Sequence, residues 1–373
     1  MKIGILTLPL RNNYGGILQA YALQKVLKNM GHEVITIKES RRLSLWKAPI
    51  IYTKRFLFKY VLRKKNAINI FSEQEQKRIF PIITQNTQLF VDKYIQTEDF
   101  SEVKKYNATF DAIVVGSDQV WRPKYIGNVV NAYLAFSKKW EIRRIAYAAS
   151  FGTDKWEYNK WQTRICKSLI KRFNTVSVRE KSGVDLCKQY FDIDALQVLD
   201  PTMLLDVSHY ISLIEKESVE QSKGNLFVYV LDKNETTDRI EQEISSTLEY
   251  TPFYSTTDNS KIATIENRIA TKVEVWLRSF LDAEFILTDS FHACVFAILF
   301  NKPFIVYGNE ARGLSRFDSL LQLFKLGDRR VSSETINLAQ ILKSTINWNE
   351  VNEILCAERK ASFRFLMKSL DNV

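Results

Sequence analysis

The 373-residue chain has only four cysteines and three histidines. The cysteines, Cys166, Cys187, Cys294 and Cys356, include no CxxC pair, which argues against a zinc site and against a disulfide framework. Three histidines are too few for a multi-histidine metal centre. We therefore predict a protein of a reducing compartment that binds no metal.

Long hydrophobic runs are missing as well. The longest uninterrupted apolar stretch, Ala293–Phe300, has eight residues, whereas a membrane-spanning helix needs about 20. The apolar run at the N-terminus is too short for a signal sequence, and no small-residue cleavage site follows it. Hydrophobic residues make up 46% and charged residues 25% of the chain, which excludes disordered and low-complexity classes. We expect a cytoplasmic protein.

Positive charge is concentrated in one segment. The chain has a formal net charge of +11, and residues 41–65 hold nine Lys/Arg and no acid. Cations interleaved with aromatic residues suit the anionic inner face of the cytoplasmic membrane, with the protein bound peripherally. They suit equally a solvated helical insertion whose aromatics pack on the body. Nucleic acid is not expected as a partner, because no zinc-finger spacing, RNP motif or recognisable helix-turn-helix accompanies the segment. Its aromatic residues are Trp46, Tyr52, Phe56, Phe58 and Tyr60.

Short apolar runs alternate with helical stretches, which is typical of α/β proteins with parallel sheets. The length suggests two domains. We predict a fold of two Rossmann-like, doubly wound domains facing a cleft. The first domain is expected over 1–208 with the basic insertion at 41–65, and the second over 209–349. A final helix at 350–373 is expected to pack back on the first domain.

Polar or glycine-rich clusters follow six of the predicted strands directly. Ligands of doubly wound sheets bind beyond the carboxyl ends of the strands, so we predict that the clusters line one cleft. The first cluster is expected in a loop that ends at Gly16, before a helix at Ile17–Asn29. The six clusters lie at 12–16, 116–118, 150–152, 179–180, 200–202 and 288–292.

The first two clusters suggest ligand contacts. Beside Asn13 and Tyr14, the pair Gly15-Gly16 lets a backbone approach a ligand at a helix N-terminus, although a tight turn explains the pair equally well. The pair is neither a dinucleotide fingerprint nor a Walker P-loop. In the second cluster, three residues are candidates: Ser117, Asp118, which can bind a sugar hydroxyl or cap a helix, and Trp121, which can stack on a sugar face.

His292 is the most informative residue. It follows Thr288-Asp289-Ser290, which are typical helix N-caps, so we expect it in the first turn of a helix beside Ser290 and Phe291. The positive end of a helix favours a neutral imidazole, which can act as a base. A lone histidine is more often structural, but such residues usually lie on an apolar face. We predict that His292 is an acid/base catalyst.

Arginines suggest an anionic ligand at the same cleft. Arg179 follows a strand, and its guanidinium suits bidentate binding of carboxylate or phosphate. Arg312 and Arg316 can supply further cations, although each alone can be a surface ion pair. Together with the helix N-terminus, they indicate a site for an anionic donor.

Seven segments resemble, in order, the motifs of the polysaccharide pyruvyl transferase family. The resemblance runs from about residue 1 to 330 and implies a GT-B-like fold. It also implies transfer of a pyruvyl group from phosphoenolpyruvate, with no further cofactor, onto two hydroxyls of a sugar, giving a cyclic ketal and phosphate. The implied acceptor is a growing glycan or a lipid-linked intermediate of capsule or exopolysaccharide. The segments are NNYGGILQAYALQ, DAIVVGSDQVW, YAASFG, SVREKSG, VLDPTMLL, LTDSFHACVFAILFNKPFIVYG and SRFDSLLQLFKLGDR.

The resemblance assigns the catalytic histidine to His292 and a donor-binding arginine to Arg179. From the residues themselves, we predict Asp118 as a second catalytic residue that orients the acceptor. This chain has Ser290-Phe291 where some members carry Arg-Leu before the histidine. Either another cation replaces the missing arginine or the donor or acceptor differs. Two alternatives remain: a GT-B-like glycosyltransferase that uses a nucleotide sugar, and a non-catalytic scaffold that binds through 41–65. The candidate replacement cations are Lys302, Arg312 and Arg316.

Overall fold

Two parallel β-sheets form the framework of the protein. The computed structural model describes residues 1–38, 52–53, 55–61, 72–105, 110–255, 264–308, 313–332 and 338–371. The first sheet has seven strands and the second has five. Every pair of neighbouring strands in the two sheets is parallel. Arg312 and most of the basic segment 41–65 lie outside the described residues.

The first sheet is built from strands in the first half of the chain, in the order β3-β2-β1-β4-β5-β6-β7. Its central strands are almost wholly buried because helices cover both faces, so they consist of continuous apolar runs such as AIVVG. The strands are β1 (Lys2–Leu6), β2 (Glu33–Lys38), β3 (Thr97–Asp99), β4 (Ala112–Gly116), β5 (Arg143–Ala149), β6 (Thr175–Val178) and β7 (Leu196–Gln197).

The second sheet has the order β12-β11-β10-β8-β9. In each sheet the strand order reverses direction at one point, between β1 and β4 in the first and between β8 and β10 in the second. Loops diverge at such points and leave a crevice, which is where ligands of open α/β sheets bind. The strands are β8 (Leu226–Tyr229), β9 (Pro252–Tyr254), β10 (Phe285–Thr288), β11 (Phe304–Tyr307) and β12 (Arg330–Val331).

The helices connect the strands and cover the sheets. The first helix begins at Tyr14, not at Ile17 as predicted, because the extended backbone of Asn13 forms the N-cap and Gly15-Gly16 lie in the first turn. The helices are α1 (Tyr14–Asn29), α2 (Ser72–Ile83), α3 (Gln85–Tyr94), α4 (Phe100–Lys105), α5 (Lys160–Ile170), α6 (Lys181–Leu186), α7 (Val207–Lys216), α8 (Glu235–Leu248), α9 (Val273–Asp282), α10 (Phe291–Leu299), α11 (Ser315–Leu323), α12 (Leu338–Lys343) and α13 (Trp348–Leu370).

One hydrophobic cluster joins the two sheets and their helices. It contains Ile17 of α1, Tyr210 of α7 and Phe296 of α10. Tyr14 stacks on Trp276 of α9, with ring centroids 5.3 Å apart, and its hydroxyl lies 2.8 Å from Thr271 Oγ1. The two halves therefore share a core, and α1 is the helix of the first half that packs against the second.

The last helix, α13, lies against the first sheet. The amide of Leu199 donates to Ser362 Oγ at 3.0 Å, and Arg359 Nε donates to the carbonyl of Met203 at 2.8 Å. Near the end of the helix, Thr175 Oγ1 donates to Ser369 Oγ at 2.8 Å. The chain thus crosses back to its first half after completing the second sheet. The domain limits at 208 and 349 stay a prediction.

The predicted fold class is confirmed by the sheet topology: two Rossmann-like parallel-sheet halves whose reversal points meet, as expected of a GT-B-like protein. Across the described ranges, no helix combines the length and apolar character that crossing a bilayer requires. Of the basic segment, residues 55–61 form a helical turn.

The shared core leads to a prediction about unfolding. Trp276 is fully buried and contacts both halves, so Trp276→Ala is expected to lower the free energy of unfolding by about 3–5 kcal/mol. Both halves are expected to unfold in one transition, measured by chemical denaturation with circular dichroism. The matched control is Trp161→Ala, since Trp161 is 62% exposed and its loss should change stability by less than about 0.5 kcal/mol. Two separate transitions in the wild type would contradict the shared core.

Candidate active site

Two helix N-termini meet where the reversal points of the two sheets face each other. Helix α1 begins at Tyr14 and helix α10 at Phe291, and His292 lies against the first turn of α1. A Cβ atom at Gly15 would lie 2.1 Å from Cγ and Nδ1 of His292. Only glycine permits this approach, so the residue that suggested a ligand contact makes room for an imidazole ring.

Asp200 lies at the centre of the site and is fully buried. Its Oδ1 accepts from the Thr202 amide at 3.0 Å and from Thr202 Oγ1 at 2.8 Å. Its Oδ2 accepts from Arg179 Nη1 at 2.7 Å and from Ser117 Oγ at 3.1 Å. Burial alone would raise the pKa of this carboxyl, but the charges and hydrogen bonds of His292 and Arg179 outweigh it and hold the pKa well below its usual value.

The imidazole of His292 faces one cation and one anion. Its Nε2 lies 3.5 Å from Arg179 Nη1 and 3.5 Å from Asp200 Oδ2. A protonated Nε2 can donate toward the carboxylate, and an unprotonated Nε2 can accept from the guanidinium. Both protonation states thus have a partner in place, which is the requirement for a group that gives and takes a proton.

Asp118 lies on the other side of Arg179. Its backbone is in the left-handed region, with φ 68°, a strained conformation that tends to occur at functional sites. Oδ1 accepts from the Gln119 amide and lies 3.9 Å from Arg179 Nη2, while the buried Oδ2 has no hydrogen-bond partner among the described residues. No helix begins here, so the helix-cap interpretation is wrong. The carboxylate remains available to a ligand.

Two guanidinium groups contact the ring of Phe291. The Cζ atom of Arg179 lies 4.3 Å from the ring centroid, and that of Arg316 lies 5.4 Å from it. Burial, and then the charge of Arg179, lowers the pKa of Arg316 to about 10, so the Arg316 guanidinium stays charged at neutral pH. Ser290, the N-cap of α10, is half-buried and makes no side-chain capping bond.

The other predicted residues that follow β1 and β4 lie near the site, and they differ in burial and in contacts. Asn13 is exposed at the N-cap of α1. A Cβ at Gly16 would lie 3.4 Å from Asp118 Oδ2, so Gly16 borders the Asp118 carboxylate. Ser117 is fully buried, and its Oγ donates a hydrogen bond to Asp200.

Three predicted binding residues lie away from the site. Trp121 is fully buried and stacks on Tyr133, with ring centroids 5.0 Å apart, so it presents no face to a sugar. Tyr14 belongs to the shared core, where burial raises its pKa to about 12. Lys302 lies just before the N-terminal end of β11, whereas the site is formed at the C-terminal ends of the strands. It donates to the carbonyl of Leu281 at 2.9 Å. Neither a strand-end position nor residue type revealed these environments.

Two acidic residues of the site were not predicted to act there. Asp200 and Glu180 each follow a strand, and that position was the available signal. Glu180 is fully buried, and its Oε1 accepts from the amides of Phe151 and Gly152 and from Ser150 Oγ, at 2.8–3.0 Å. It fixes the loop after β5 beside the site. In the parts of the chain that the structure describes, no group of three or more His, Cys, Asp or Glu is arranged to hold a metal ion.

With this geometry established, the chain can be compared with known proteins. The sequence model of the polysaccharide pyruvyl transferase family matches residues 13–310. The chain belongs to this family. It is therefore a transferase, and the scaffold alternative is wrong. The matched range contains Asp118, Arg179, Asp200 and His292, whereas Arg316 lies six residues beyond it.

Solved structures with similar folds share little sequence with this pyruvyl transferase family member. A glycosyltransferase from Rickettsia africae is 14% identical, covers 99% of this chain and 97% of its own, and has a TM-score of 0.45. A UDP-N-acetylglucosamine 2-epimerase from Rickettsia bellii is 11% identical, with 99% and 96% covered and a TM-score of 0.48. At these values the likenesses say nothing about substrate or reaction. No curated protein matches the chain.

Proposed function

We propose that the enzyme transfers the pyruvyl group of phosphoenolpyruvate onto two hydroxyls of a sugar, forming a cyclic ketal and releasing phosphate. Family membership supports the reaction class. The observation that carries the proposal for this chain is the position of His292 Nε2, 3.5 Å from both a carboxylate and a guanidinium. That arrangement suits a proton donor that works beside an anionic substrate.

The donor side of the site is the set of positive groups around Phe291. Phosphoenolpyruvate carries a carboxylate and a phosphate, which require cations and backbone N–H groups. Arg179 and Arg316 supply two guanidinium groups, and α1 and α10 present two helix N-termini. Nε and Nη2 of Arg179 are buried and have no hydrogen-bond partner among the described residues. They can therefore donate hydrogen bonds to carboxylate or phosphate oxygens of phosphoenolpyruvate. Arg316 takes the place of the cation missing before His292.

The proposed reaction proceeds in two steps. In the first, one acceptor hydroxyl oxygen bonds to C2 of the donor while the electron pair of the C=C bond takes a proton at C3. In the second, the bond from C2 to the phosphate oxygen breaks, phosphate leaves with its electron pair, and the other hydroxyl oxygen closes the ketal ring. Of the two hydroxyl protons, one ends in the methyl group and one on phosphate. His292 gives the proton to C3 and recovers one from the acceptor.

The acceptor side is assigned to Asp118. Its buried Oδ2 can accept from a sugar hydroxyl and so hold that oxygen near the donor carbon. We propose a growing glycan or a lipid-linked precursor of capsule or exopolysaccharide as the acceptor. No metal or further cofactor takes part in this scheme.

The reaction class can be tested with the catalytic histidine. Wild-type enzyme incubated with phosphoenolpyruvate and a lipid-linked acceptor is expected to release phosphate and to add a pyruvate ketal, detected by mass spectrometry. His292→Ala is expected to lower the rate of phosphate release by about 10²–10⁴-fold, because no group then protonates C3. A fully active variant would overturn the assignment. Thermal stabilisation of the wild type by UDP or GDP sugars, and not by phosphoenolpyruvate, would favour the glycosyltransferase alternative.

A pair of variants tests the donor cations. Arg316→Met should raise the KM for phosphoenolpyruvate about tenfold or more, because a charge-assisted contact to the donor is lost. Lys302→Met is the matched control, since Lys302 lies at the opposite end of the strands from the site and its loss should leave the KM unchanged. Steady-state kinetics with varied donor measures both. Equal effects of the two substitutions would contradict the donor role of Arg316.

We also propose that the basic segment docks the enzyme on the anionic inner face of the cytoplasmic membrane. In its described part, Phe56, Leu57 and Tyr60 are 51%, 47% and 56% exposed, whereas Tyr52 and Phe58 are half-buried. Exposed apolar side chains in a segment whose sequence holds nine cations suit insertion among anionic headgroups. A lipid-linked acceptor would be held at the same surface.

Vesicle sedimentation tests the docking. The triple variant Phe56→Ser, Leu57→Ser, Tyr60→Ser is expected to bind phosphatidylglycerol vesicles about tenfold or more weakly than the wild type, because the inserting side chains are lost. Leu89→Ser and Trp161→Ser are controls at residues that are equally exposed elsewhere. Wild-type binding should also weaken with added salt. Unchanged binding of the triple variant would show that these side chains do not insert.

A further inference from the structure

We propose that Asp200 is the positioning residue of His292, and that it acts across the boundary between the two halves of the protein. Asp200 follows the first sheet, whereas His292 follows β10 of the second. In the described structure the two side chains meet with Asp200 Oδ2 at 3.5 Å from His292 Nε2. This role rests on the proposed function of His292 and adds the group that sets its orientation and charge.

Asp200 is held too rigidly to serve as a mobile acid or base. Both oxygens accept hydrogen bonds, one from Thr202 and the other from Ser117 and Arg179. The side chain is fully buried, and the cavity beside the Asp200–Arg179 pair measures about 10 Å³, about the space of one water molecule. A carboxylate fixed in this way keeps its charge and its direction, so it can orient a neighbouring imidazole and stabilise its protonated form.

The opposite side of the imidazole is fixed by sterics. Helix α1 passes so close to His292 that a Cβ at Gly15 would lie 2.1 Å from the ring. The first half of the protein therefore confines the ring between a backbone and a carboxylate. The proton-donating state of His292 depends on the contact between the two halves, because His292 belongs to the second half and both Asp200 and Gly15 belong to the first.

The histidine signals provide a readout that needs no substrate. The chain has three histidines, and His292→Gln identifies the resonance of His292 in the NMR spectrum. In Asp200→Asn the pH midpoint of that titration is expected to fall, because the carboxylate charge 3.5 Å from Nε2 is removed while Arg179 Nη1, also 3.5 Å from Nε2, keeps its place. The acidic limb of the pH–rate profile should move in the same direction. Asp194→Asn, which removes an exposed carboxylate paired with Lys188, is the control.

Adjacent glycines give a second test that does not remove the buried charge. Gly15→Ala should displace the imidazole from Asp200 and lower the same midpoint, because the new methyl group occupies the space of the ring. Gly16→Ala is the matched control for the imidazole: its Cβ would meet the side-chain amide of exposed Asn13 at 3.0 Å and Asp118 Oδ2 at 3.4 Å, and no His292 atom is among its three nearest neighbours. Alanine has a higher helix propensity than glycine at both positions of α1, and circular dichroism checks that each variant folds.

The outcomes separate this inference from the proposed function. If Asp200→Asn folds and its His292 midpoint equals that of the wild type, the positioning role is wrong. If Asp200→Asn does not fold, Gly15→Ala decides: a midpoint that matches Gly16→Ala overturns the inference, and a lowered one supports it. Failure of the proposed function appears elsewhere, as absence of phosphate release by the wild type, and leaves the titrations interpretable.

Discussion

The ion pair between Asp200 and Arg179 determines the geometry around it. Both groups are almost wholly buried, and a buried charge is tolerated only when it is paired and hydrogen-bonded. Satisfying Asp200 requires the 3₁₀ turn at Pro201–Leu204, which supplies Thr202, and the end of β4, which supplies Ser117. Arg179 is then directed toward Phe291. The strand ends, the donor cations and His292 are arranged around this one interaction.

The shared core explains how groups from separate sheets reach one another. Tyr14 and Trp276 stack at the start of α1 and anchor that helix in the second half of the protein. One residue further along, Gly15 contacts His292. The packing that stabilises the fold and the contact that orients the imidazole lie on consecutive residues, so movement of α1 relative to α9 and α10 would disturb both.

Sequence patterns predicted the alternation of strands and helices, the gathering of strand-end clusters, and His292 in the first turn of a helix, because these follow from periodicity and local capping. Environments that depend on long-range packing could not be predicted. Trp121 has the residue type and position of a sugar platform, yet Tyr133 covers it. Lys302 is close to His292 in sequence but at the opposite end of the strands. The short strand Thr97–Asp99 is the outermost strand of the first sheet and pairs only with β2. It contains two acidic residues and no apolar run, so sequence patterns did not predict it.

Several buried polar atoms of the site have no hydrogen-bond partner in the described part of the chain. Asp118 Oδ2, Glu180 Oε2, and Nε and Nη2 of Arg179 are buried without hydrogen-bond partners among the described residues, and a buried polar group without a partner costs about 1–3 kcal/mol. The left-handed backbone of Asp118 adds strain at the same place. Three of these atoms lie where Arg179 and Asp118 face each other, between the proposed donor and acceptor sides. A substrate that offers anionic oxygens to the guanidinium and a hydroxyl to the carboxylate would satisfy both. The unpaired groups thus match a ligand that carries an anionic group and a hydroxyl.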